Sequence, residues 1–170
     1  MPQNDQPAVR KSPYITAAGF QALQDEQRDL WSRRHVVVSA LAAAAAEGDR
    51  SENAEYIYRK KQLRELDRRL RYLQKRLPEL KVVDRAPAAC DRVFFGAWVT
   101  LADAAGGEVT YRIVGADEFD PKRCWISVDS PMARALLKRA VDEEFVVRTP
   151  AGESRYCVLE VRYGAAQDAD

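Results

Sequence analysis

Residues 59–80 read RKKQLRELDRRLRYLQKRLPEL, and within them Leu63, Leu66, Leu70, Leu73, Leu77 and Leu80 recur at steps of 3, 4, 3, 4 and 3. That spacing is an a/d heptad seam, and Tyr56 extends it one heptad toward the N-terminus. Upstream, Leu23, Leu30, Val37 and Ala44 lie seven apart, with Phe20, Gln27, Arg34 and Leu41 as a less apolar companion row. Two helices are predicted, at about 17–46 and 54–77, joined by a short polar break. A connection that short forces them antiparallel. The result is a helical hairpin roughly 40 Å long, at ~1.5 Å of rise per residue. Thr16 suits the N-cap of the first helix. Pro78, lacking an amide N–H, ends or kinks the second. The alanine run 42–46 lets the two backbones approach closely near the break.

Beyond residue 89 the hydrophobic period changes from 3.5 to 2. Val93–Leu101, Val109–Val114, Trp125–Val128, Phe145–Thr149 and Tyr156–Tyr163 are rich in β-branched and aromatic residues and read as strands. Glycine, proline and aspartate punctuate them at 103–107, 117–123 and 150–152. Ser130 and Pro131 suit the N-cap and N1 positions of a short helix over 130–138. The fold class expected is α+β, a long antiparallel coiled-coil hairpin followed by a small antiparallel β domain with one short helix. The expected division is a polar extension at 1–14, a coiled-coil domain at 15–84, a linker at 85–89 and the β domain at 90–170.

Composition narrows the function classes. The chain has 170 residues, 46% hydrophobic and 31% charged, enough apolar material for a core. Its formal net charge is only +1, but residues 1–84 carry +4 and residues 85–170 carry −3. Nine basic residues crowd 59–76 against Glu65 and Asp67 alone. So concentrated a patch predicts contact with a polyanion better than net charge does. Cys90, Cys124 and Cys157 are widely spaced with no CxxC pair, which argues against a disulfide framework or zinc cluster. No apolar run nears the ~20 residues of a membrane span, and the polar, proline-broken N-terminus has no signal-peptide core. A cytoplasmic protein with no membrane role is expected.

The break between the helices, Gly48-Asp49-Arg50-Ser51-Glu52-Asn53, admits two readings. In the first, Gly48 ends helix one, Asp49 caps helix two and Glu52 completes a capping box. In the second, Asp49 and Glu52 are paired carboxylates at the end of a thin probe. Such a pair suits a hard cation such as Mg2+, bound weakly and completed by a partner. The two are compatible, since a cap uses only some carboxylate lone pairs. Ser51 and Asn53 read as residues that shape the tip. Tyr56, on the seam, reads as core, and His35, the only histidine, as a surface or boundary residue rather than a metal ligand.

The strings GDRSENAEYIYRKKQLRELDRRLRYL (48–73), VFFGAWV (93–99), YRIVG (111–115), ISVDSPMARALLK (126–138) and TPAGE (149–153) together resemble the bacterial transcript cleavage factors of the Gre family, its B type most closely. The resemblance runs from about Ile15 to Tyr163. It implies an FKBP-like C-terminal β domain and binding to bacterial RNA polymerase, with the coiled coil inserted into the secondary channel. It implies that Asp49 and Glu52 help hold a shared Mg2+ and a water in the polymerase active centre, promoting hydrolysis of the 3′ end of backtracked nascent RNA. On this reading the chain donates catalytic residues and is not an autonomous enzyme. Arg59, Lys60, Lys61, Arg64, Arg68 and Arg71 match the family's RNA-binding basic patch. Asp129, Ser130, Pro131, Met132 and Arg134 match the element that docks on the channel rim. Gly48, Ser51 and Asn53 fall to tip shape, and a monomer is expected. The alternatives are a channel-binding regulator that does not cleave, a prolyl isomerase suggested by the FKBP-like fold, and a purely structural coiled-coil adaptor.

Overall fold

The computed structural model describes residues 10–46, 53–88, 90–150 and 152–164. The elements in chain order are β1 (Tyr14–Thr16), α1 (Ala17–Ala46), α2 (Ala54–Arg76), β2 (Lys81–Val83), β3 (Trp98–Asp103), β4 (Glu108–Val114), β5 (Trp125–Ser127), α3 (Pro131–Leu136), β6 (Glu144–Thr149) and β7 (Gly152–Arg162). They form two compact units, one of residues 20–80 and one combining residues 1–19 with 81–170.

In the helical unit the heptad arithmetic holds. Leu23, Leu30, Val37 and Ala44 are buried on α1, and Leu66, Leu70 and Leu73 on α2. The companion row Phe20, Gln27, Arg34 and Leu41 is half-buried, and His35 is exposed. Cross-helix bonds fix the antiparallel sense. Both guanidinium nitrogens Nε and Nη2 of Arg69 donate to the Glu26 carboxylate at 2.7 Å, and Arg34 Nε donates to Asp67 Oδ1 at 2.6 Å. Thr16 caps α1, its Oγ1 accepting from the Gly19 amide at 3.0 Å. Helix α2 ends at Arg76 and passes into a single 3-10 turn, Leu77–Glu79, where Pro78 cannot extend the α-helical ladder.

The second unit is a five-stranded sheet in the order β5-β4-β3-β7-β6. Its pairs are antiparallel except β4 with β5, an edge pair that is parallel and departs from the all-antiparallel expectation. Val99, Leu101, Ile113, Val147 and Val158 point into one core with Leu136 of α3. Val93–Ala97, expected as the start of a strand, is instead irregular chain with a turn at Phe95 and Gly96, preceded by an isolated bridge from Arg92 to Ala140. There Gly96 adopts φ 84° and Ala97 N donates to Phe94 O at 3.2 Å, so β3 begins only at Trp98.

The expected coiled-coil boundaries of 15 and 84 also shift. β1 and β2 pair in parallel, Tyr14 with Lys81 and Thr16 with Val83, and join the sheet unit rather than the helices. Glu118 accounts for this. Its Oε2 accepts from Thr16 N at 3.0 Å and from Gly115 N at 2.9 Å, and its Oε1 accepts from the Thr16 hydroxyl. Gly115 is required here, because a Cβ would stand 2.5 Å from the Tyr14 carbonyl oxygen.

Candidate functional site: the coiled-coil tip and its basic face

Gly48, Asp49, Ser51 and Glu52 lie outside the described residues, so the tip is framed by its two ends. α1 is described to Ala46, and Asn53 opens α2. Asn53 is the N-cap, with φ −82° and ψ 100°, and its Oδ1 accepts from the Tyr56 amide at 3.1 Å. The expectation that Asp49 caps this helix is corrected. The helix begins at Ala54, where an Asp49 cap would start it at residue 50, and Tyr56 fills the N3 position where a capping box needs Glu or Gln. Asn53 does a second job as well. Its Nδ2 donates to the Ala44 carbonyl of α1 at 2.9 Å, tying the two helices together at the foot of the tip. An amide serves both roles because it accepts at one atom and donates at the other.

The basic run sorts itself by helical angle. At 3.6 residues per turn, Lys60, Arg64, Arg68, Arg71 and Lys75 fall within an arc of about 80°. All five are exposed. Lys61, also exposed, borders this stripe. Arg64, Arg68 and Arg71 make no ion pair with any described residue, and the Lys60 ammonium stands 5.7 Å from the Tyr56 ring centroid. Lys75 belongs to the stripe as well, beyond the residues that the family's basic patch matches. A step of four from Arg71 is the signal that finds it.

Three members of the run do other work. Arg59 is half-buried and donates to Glu55 at 2.7 Å and to Gln62 at 3.2 Å. Arg69 bridges to Glu26, and Arg76 is 7% exposed beside Glu79. Arg59 thus stands apart from Lys60, Arg64, Arg68 and Arg71, the four stripe residues with which the patch grouped it.

In the sheet unit Ser130 caps α3, its Oγ accepting from Ala133 N at 3.1 Å, with Pro131 at N1 as expected. Asp129 Oδ2 accepts from the Ser12 amide at 2.8 Å, and Met132 packs on the core. Pro131 and Arg134 are exposed. This string is therefore brought together around the first turn of α3, two members facing outward and the others shaping the turn.

Residues 13–82 match the N-terminal domain of the transcription elongation factors, and residues 87–163 match the C-terminal domain of transcription elongation factor GreA/GreB. The chain belongs to the GreA/GreB family of transcription elongation factors. It is 59% identical over 161 residues to transcription elongation factor GreB of Xanthomonas axonopodis pv. citri, covering 94% of this chain and 96% of that one. It is 56% identical over 156 residues to GreB of Yersinia pestis, covering 91% of each. Among solved structures, GreA factor homolog 1 of Thermus thermophilus aligns at 20% identity and a TM-score of 0.42, covering 90% of this chain and 99% of that one. No helix among the described residues is long and apolar enough to cross a membrane.

One arrangement in the sheet unit has no counterpart in the sequence pattern. Register places Trp98, Arg112 and Trp125 side by side on β3, β4 and β5. The Arg112 guanidinium stands 5.2 Å from the Trp98 ring and 4.8 Å from the Trp125 ring. Burial pulls Arg112 below its ordinary value, while the charge of Glu118 acts in the opposite direction. The signal is a cross-strand pairing, which emerges only once the register is known.

Proposed function

We propose that this family member stimulates cleavage of backtracked nascent RNA by bacterial RNA polymerase, reaching the active centre through the secondary channel with the tip of its helical unit. The observation that carries the reading is that Asn53, rather than Asp49, caps α2. A structural explanation for the acidic pair is thereby removed, and an acidic pair at a hairpin tip calls for another. Two carboxylates and no nitrogen or sulfur donor suit Mg2+, which takes oxygen ligands and keeps several waters. Asp49 and Glu52 would hold the ion only jointly with polymerase, so the chain alone has no hydrolytic activity. Held there, Mg2+ would supply positive charge of the kind that favours water activation and leaving-group stabilisation in phosphodiester hydrolysis.

The remaining residues bind and orient. Lys60, Lys61, Arg64, Arg68 and Arg71 attract the extruded strand through phosphate contacts that are independent of sequence and weakened by salt. Arg59 contributes through the shape of the α2 start. Pro131 and Arg134, with Asp129, Ser130 and Met132 setting the turn beneath them, dock on the channel rim, and a monomer suffices for all of this.

The test separates binding from chemistry. Asp49→Asn is expected to retain polymerase affinity and lose cleavage. Equal loss of both would sink the metal assignment.

A further inference from the structure

Within the helical unit, beside the basic stripe, lies a groove of about 420 Å3 between α1 and α2. Leu30 and Leu66 contribute its apolar part, and Tyr58 lines it while remaining 57% exposed. Lys61 and Arg33 supply two cations, and Gln62 and Glu65 supply polar atoms. The Arg59 guanidinium stands 5.5 Å from the Tyr58 ring centroid, so the ring already carries one cation.

An exposed tyrosine on a helix is ordinarily a surface residue. This one differs in its surroundings. The volume falls in the range of small-molecule sites, within which a single nucleotide fits. Cations together with an aromatic face form the combination that holds single-stranded nucleic acid, with phosphates on the charges and bases stacked on the ring. Among the described residues Arg33 pairs with Asp29, at 3.6 Å with both side chains more than half exposed, a pair weak enough to exchange for a phosphate. Glu65 repels phosphate but accepts hydrogen bonds from a ribose hydroxyl or an exocyclic amine, and so orients a strand with its sugar or base edge inward. Tyr58 lies four residues into α2, about 6 Å along the axis from its start. A strand passing the tip therefore meets this groove before most of the basic stripe.

We infer that the groove is a base-binding subsite for the extruded RNA, in which Tyr58 stacks on one nucleobase while Lys61 and Arg33 hold the adjoining phosphates. This rests on the cleavage reading above and deepens it. The stripe alone would hold RNA by charge, whereas the subsite grips the base itself.

The test is a two-by-two comparison in backtracked elongation complexes. Wild-type protein and Tyr58→Ser are each assayed for RNA cleavage on a transcript with ordinary extruded nucleotides and on one whose extruded nucleotides are abasic. Tyr58→Phe serves as the conservative control, and helicity at 222 nm confirms that each variant folds. With ordinary RNA, Tyr58→Ser is expected to slow cleavage roughly five- to tenfold, the scale of losing one stacked base, while Tyr58→Phe stays within about twofold of wild type. With abasic RNA the wild type falls to the level of Tyr58→Ser, because ring and base act as one pair. Any effect of the abasic sugar on polymerase is common to both proteins and cancels. Independent effects would overturn the proposal, as would an equal deficit of Tyr58→Ser on both transcripts, which would assign the ring to a contact with polymerase. In those cases wild-type cleavage persists and the wider reading stands. Absence of wild-type cleavage on ordinary RNA would overturn both.

Discussion

Replacing Asn53 separates two jobs that its side chain does at once. As N-cap it accepts from Tyr56 N, and as a cross-helix tie it donates to Ala44 O. Serine caps about as well as asparagine but is too short to reach across to α1 and has no amide donor. Asn53→Ser therefore removes the tie alone, at about 1 kcal/mol for one net hydrogen bond. Asn53→Ala removes the tie and the cap together, at about 2 kcal/mol in all. For a chain of this length, about 1 kcal/mol lowers Tm by roughly 2–4 °C. The Ser variant should melt that much lower when helicity is followed at 222 nm, and the Ala variant about twice as far. In backtracked complexes Asn53→Ser should slow cleavage at unchanged polymerase affinity, since the chain leading into the acidic pair is less firmly held. Identical melting of the two variants, or a Ser variant indistinguishable from wild type, would refute the division into cap and tie.

Four further outcomes follow from the same geometry. Gly115→Ala should destabilise the sheet unit by about 1–3 kcal/mol, read by denaturant titration, because the new Cβ meets the Tyr14 carbonyl at 2.5 Å and backbone must move. Arg112→Ala should cost about 1–2 kcal/mol on the same titration, because the guanidinium no longer lies against the Trp98 and Trp125 rings. Burial raises the Tyr163 phenol above its ordinary value, against the Phe94 amide bond that lowers it. The fold thus favours the neutral phenol, a contribution complete below pH ~10 and lost as pH rises through the folded value. Tyr163→Phe should accordingly be less stable than wild type at neutral pH, with the gap closing in strongly alkaline solution. Neutralising Lys60, Arg64 and Arg68 should flatten the salt dependence of cleavage by about 0.7 in log-log slope for each RNA phosphate that is no longer paired with a cation.

What the sequence disclosed was governed by range and length. The heptads of α1 and α2, the Pro78 stop, the Thr16 cap and the Ser130-Pro131 start of α3 are local patterns of four to thirty residues, and each stands where periodicity and capping chemistry put it. β1 and β2 are three residues each, too short to show alternation, and their partners lie some sixty-seven positions apart in register. The bonds of Glu118 to Thr16 likewise span 102 positions. Val93–Ala97 carries strand-like residues but turns at Gly96, where a positive φ ends the extended run. At the tip the sequence pattern put the cap at Asp49, and only the observed start at Ala54 assigns it to Asn53. The run of nine basic residues over 59–76 likewise reads as uniform until ion pairs set Arg59, Arg69 and Arg76 apart from the exposed stripe.

The central claim is that the acidic pair serves chemistry and not architecture. Its most direct test is cleavage of end-labelled transcript in a backtracked elongation complex with Mg2+, comparing the wild type with the Asp49→Asn/Glu52→Gln double variant. The account predicts short 3′ fragments with the wild type and none with the variant, at equal helicity and equal occupancy of polymerase. Fragments released equally by both proteins, or a variant that loses helicity along with cleavage, would contradict it.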